Sequence, residues 1–121
     1  MNTKNNYGKT PLNPILMTGI NESILFLNSL TTEDHKPIFY HRVHTTNLNN
    51  DTLLDCYEIF KNDGKKEILF IDTYANKKCE DIPDGYIKNT KFIKPTFYKG
   101  SKIYKTIGVN YKIRKFPDNL I

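Results

Sequence analysis

Residues 39–46 read FYHRVHTT, and they place two histidines, an arginine, a tyrosine and two threonines within eight positions. Histidine can ligate a metal or move a proton near neutral pH, and arginine can clamp a phosphate. Which of these chemistries is open depends on the backbone. Phe39, Tyr40, Val43, Thr45 and Thr46 are strand formers, and Pro37 lies just upstream, so the segment is expected to be a strand. On a regular strand, side chains three apart point to opposite faces, which would separate His41 and His44 by roughly 10 Å. They could then share no metal ion.

The same alternation would group Tyr40, Arg42, His44 and Thr46 on one face. Such a set is suited to metal-independent phosphodiester cleavage, with His44 as general base or acid, Arg42 stabilising the developing charge and Tyr40 an orienting donor. A catalytic partner would have to come from another strand. The plainer reading is a strand whose polar face meets water.

Charge singles out a second region. The net charge of +5 is uneven: residues 1–60 hold four Lys/Arg against six Asp/Glu, and residues 61–121 hold fourteen against seven. An acidic partner, either a protein surface or a nucleic acid, is the physical counterpart of such asymmetry. Lys102, Tyr104, Lys112 and Arg114 are the candidate binding residues, cationic groups beside a stacking ring. No RNA-recognition signature or GxxG clamp accompanies them. Lysines also protect an edge hairpin from aggregation, which is the plainer account of this stretch.

Cys56 and Cys79 form no CxxC pair and match no zinc-finger spacing, so neither a metal nor another cofactor is expected. There is no P-loop, GxGxxG, HExxH, GxSxG or EF-hand pattern. The N-terminus lacks the apolar core of a signal peptide and no apolar run is long enough to span a bilayer, which points to a cytoplasmic chain with reduced thiols.

The elements that must position these residues follow from periodicity. Residues 1–14, broken by Gly8, Pro11 and Pro14, read as a flexible arm, and residues 15–121 as a single domain. Ile20, Ile24, Leu27 and Leu30 recur at helical spacing, with Thr18 or Asn21 as N-cap. Short aromatic and β-branched runs follow Pro37. Two of them, 53–60 and 67–74, flank Asn62-Asp63-Gly64 and are expected to pair as a hairpin. A second hairpin is expected around Lys99-Gly100-Ser101, its second arm alternating Ile103, Ile107, Val109, Tyr111 and Ile113 with a polar series.

The expected fold is α+β: one N-terminal helix packed on a curved, mainly antiparallel sheet of four or five strands. The expected function is a small non-enzymatic binding protein of inhibitor, immunity or anti-defence type that meets an acidic partner. The rivals are the ribonuclease centred on Arg42 and His44, and a nucleic-acid-binding module without catalysis.

Overall fold

The structure is a computed structural model that describes residues 6–36, 38–48, 52–61, 65–79 and 81–89. The fold is α+β. Its elements run β1 (Ile15–Leu16), α1 (Ile20–Ser29), β2 (Leu30–Thr32), β3 (Phe39–Leu48), β4 (Thr52–Phe60), β5 (Lys66–Asp72) and β6 (Tyr86–Lys88). The main sheet has the order β1-β5-β4-β3, and β2 pairs with β6 in a separate two-stranded sheet. All of these pairs are antiparallel except β1 with β5.

The hairpin of β4 and β5 forms as its alternation predicts, with Asp55 opposite Ile71 and Phe60 opposite Lys66. Its expected turn, Asn62-Asp63-Gly64, lies outside the described residues, as does the second expected hairpin beyond Asn89. Just before it, Tyr86–Lys88 form β6, which pairs with β2.

The helix departs from the expected stripe. It starts at Ile20 after Gly19, whose φ of 145° suits glycine, and neither Thr18 nor Asn21 caps it. The Ser23 hydroxyl donates to the Gly19 carbonyl at 3.0 Å. Ser23, Phe26 and Leu27 are buried and Ile24 packs partly buried against the core, while Ile20 is exposed. The reason is length: α1 ends at Ser29, so Leu30 buries itself as the first residue of an extended strand rather than as the last of a helical stripe.

The helix-side core joins Phe26, Leu27 and Leu30 to Tyr40, Tyr57, Ile59, Leu69 and Ile71 of the main sheet. Each such burial contributes about 1.5–3 kcal/mol. Tyr7 belongs to this core too, and the Gly8 carbonyl accepts from the Phe70 amide at 2.7 Å. Residues read from sequence as an arm therefore contribute a core side chain and a sheet hydrogen bond.

Candidate functional site

The register of β3 against β4 decides what the FYHRVHTT segment can do. Tyr40 stands opposite Ile59 and Arg42 opposite Tyr57, but the next pair is His44 with Cys56. The ladder shifts between Arg42 and His44, leaving Val43 as one extra residue: a β-bulge. Alternation predicted from an unbroken strand is therefore wrong from this point on.

Paired residues on neighbouring strands point the same way and consecutive residues alternate. Tyr40, Arg42 and Thr45 consequently fall in the rows of Ile59, Tyr57 and Asp55. Position 44 falls in the row of Cys56 and Phe70, as position 41 falls in that of Glu58 and Ile68. The bulge separates position 44 from the rows of Tyr40 and Arg42, and aligns it with those of His41. The four-residue polar face expected of Tyr40, Arg42, His44 and Thr46 does not form, and the expected divergence of His41 and His44 gives way to rows on one side.

Arg42 is instead drawn to Asp55, its Nη1 lying 3.4 Å from Oδ1. Thr45 donates to the same oxygen at 3.5 Å and Thr73 to Oδ2 at 2.5 Å. With both oxygens engaged, the carboxylate ties β3, β4 and the residue after β5 together, and it is poorly disposed to act as a general base. Tyr40 is equally committed: it is buried, donates to the Asn28 side chain of α1 at 2.7 Å and packs edge-on to Tyr57. Sequence gave no sign of Asp55 as a hub, because its partners lie 10 to 18 positions away.

A second polar node forms at Glu67. Tyr86 donates to Glu67 Oε1 at 2.6 Å, Lys9 lies 3.3 Å from Oε2, and Lys61 both approaches Oε1 at 3.9 Å and sits 5.1 Å from the Tyr86 ring centroid. Burial, and then the bonded carboxylate, hold the Tyr86 phenol well above the ordinary tyrosine range. Because the folded state keeps this proton to higher pH than the unfolded chain, whose tyrosines ionise near 10, the associated stability is complete below about pH 10 and declines as pH rises beyond it. Tyr86→Phe is expected to cost about 1–2 kcal/mol at pH 7. Its urea-unfolding stability should then fall less steeply than wild type between pH 9.5 and 11, and an unchanged slope would refute the coupling. Tyr7 shifts in the same direction, by burial first and then by Cys79, so the variant retains that share of the decline.

Both cysteines are free thiols. Cys56 is buried, and desolvation, followed by Asp55, raises its pKa, the reverse of what a nucleophile needs. Among the described residues no three His, Cys, Asp or Glu gather into a metal site, and no helix is long and apolar enough to cross a membrane.

A cleft of about 580 Å³ is lined by Leu16, Thr52, Leu53, Asp72, Tyr74 and the three residues that follow. Tyr40 and Arg42 do not line it. The candidate binding residues Lys102, Tyr104, Lys112 and Arg114 lie outside the described residues. Comparison with protein-family models, with curated proteins and with solved structures yields no match.

Proposed function

We propose that this is a small non-enzymatic binding protein of inhibitor, immunity or anti-defence type, which engages an acidic protein surface through the basic C-terminal part of the chain. The observation that carries the reading is where the charge resides. Residues 90–121 hold eight Lys/Arg against one Asp, so they account for +7, while residues 1–89 sum to −2. Within the described residues, Lys9, Arg42, Lys61, Lys66 and Lys78 each stand within 4 Å of a carboxylate. A concentrated excess of one sign steers a partner of the other sign at long range.

Against the catalytic rival stand the burial of Tyr40 in the core and the register shift between Arg42 and His44. The test compares wild type with the Lys102→Glu/Lys112→Glu/Arg114→Glu triple variant and with His44→Ala. In pull-downs from nuclease-treated lysate, the triple variant should weaken capture of an acidic protein by on the order of tenfold and flatten its salt dependence. His44→Ala should capture as wild type does. RNA cleavage in EDTA that disappears in His44→Ala would overturn the proposal for the ribonuclease, and capture of RNA alone would favour the nucleic-acid module.

A further inference from the structure

Tyr7 is 7% exposed, and its hydroxyl is buried without a hydrogen-bond partner among the described residues. A buried donor left in that state costs stability, so a native chain that keeps one invites the question of what satisfies it. Its neighbour is Cys79: burial first, and then the Cys79 thiol, hold the phenol proton well above the ordinary tyrosine range. A thiol sulfur is a weak acceptor, so nearness alone does not complete a bond. The Cys79 amide donates to the Leu16 carbonyl at 3.0 Å, and the side chain packs partly buried against the core that contains Tyr7. Cys79 also lines a cleft of about 230 Å³ with Glu22, Leu25, Phe26, Lys78 and Lys88. That is ample room for a molecule little larger than water, whose share of the liquid is about 30 Å³. The thiol therefore stands between a cleft and a buried donor that needs an oxygen.

We propose that Cys79 is a peroxide-modified site, at which hydrogen peroxide converts the thiol to a sulfenic acid whose new oxygen accepts the hydrogen bond that the Tyr7 hydroxyl lacks. In this step the Cys79 thiolate, having released its proton to water, attacks one peroxide oxygen. The S–O bond forms as the O–O bond breaks; sulfur is oxidised, and the peroxide is reduced to hydroxide, which takes up the released proton as water. The chain's other cysteine, Cys56, is fully buried, and desolvation followed by Asp55 raises its pKa, so it neither competes for the oxidant nor reaches Cys79 as a resolving thiol. The product accordingly stays at the sulfenic acid until an external thiol reduces it. Oxidation would thus add a bond between the N-terminal segment and the loop after β5 that the reduced protein does not have. The proposal is independent of the binding reading above.

The full-length protein is treated with hydrogen peroxide, trapped with dimedone and mapped by peptide mass. The adduct should form at Cys79 at least on the order of tenfold faster than at Cys56. The role of Tyr7 is read from a cycle of rapid thermal melts: wild type and Tyr7→Phe, each reduced and each freshly oxidised, with dimedone labelling of an aliquot giving the extent of oxidation. Reduced Tyr7→Phe should melt at or above reduced wild type, because phenylalanine removes an unsatisfied hydroxyl. After oxidation the order should reverse, with wild type melting on the order of 5 °C above the variant. Any steric effect of the added oxygen is common to both proteins and cancels in the cycle. Cys79→Ala should abolish the peroxide response. Absence of an adduct at Cys79, equal labelling of Cys56, or the same melting difference between wild type and Tyr7→Phe in both oxidation states would each overturn the proposal.

Discussion

Gly8→Ala is expected to destabilise the protein by about 2–5 kcal/mol, an effect out of proportion to a single methyl group in a polar N-terminal segment. Gly8 has φ +78°, where alanine is strained by about 1–2 kcal/mol. Space is the second obstacle. A Cβ there would lie 2.8 and 2.9 Å from Cγ1 and Cδ1 of Ile15 and 3.2 Å from Cγ of Pro83, both buried. Overpacking of this kind costs about 1–3 kcal/mol. The loop cannot simply withdraw, since the Gly8 amide donates to Asn13 at 2.7 Å and its carbonyl accepts from Phe70 at 2.7 Å. Urea unfolding should show a lower midpoint with an unchanged slope. Ile15→Val removes one of the clashing atoms, so the double variant should be more stable than the sum of the single losses implies, by at least about 0.5 kcal/mol. Strict additivity would mean that backbone strain alone is responsible.

Gly8 also illustrates which parts of this fold were legible in sequence. The helix and the β4–β5 hairpin were, because periods of 3.6 and 2 are local signals that each segment carries by itself. The N-terminal segment was misread for the opposite reason: a single aromatic, Tyr7, does the packing, and the glycine beside it approaches other backbone, neither of which leaves a period. The polar nodes were illegible as well. Asp55 and Glu67 are ordinary carboxylates in strand patterns until the topology brings Thr73 to one and Tyr86 to the other. The candidate site depended on strict alternation through Val43, and one extra residue there redistributed its members. A β-branched residue in a β-branched run gives no warning of a bulge, because the composition suits either geometry.

The bulge itself supplies the sharpest test of this register. Deleting Val43 is expected to cost about 1 kcal/mol or less, because every described pair on either side survives: Arg42 keeps Tyr57 and His44 keeps Cys56, now without an interruption between them. The deletion removes an exposed side chain and no core contact. Deleting Tyr57 from the partner strand has the opposite consequence. No bulge absorbs it, so if Thr52–Cys56 hold their places, Glu58 moves into the position opposite Arg42 and Leu69, and Ile59 leaves the helix-side core. Loss of a buried aromatic alone costs about 3–5 kcal/mol, and installing a carboxylate in its place adds a desolvation penalty. Against a total stability on the order of 5–15 kcal/mol, that variant should show no cooperative urea transition, whereas the Val43 deletion should unfold within a few tenths molar of wild type. The two deletions lie directly across a single pair of strands. If they prove equally damaging, Val43 is not the surplus residue of the ladder, and the assignment of Tyr40 and Arg42 to one side of the sheet and position 44 to the other falls with it.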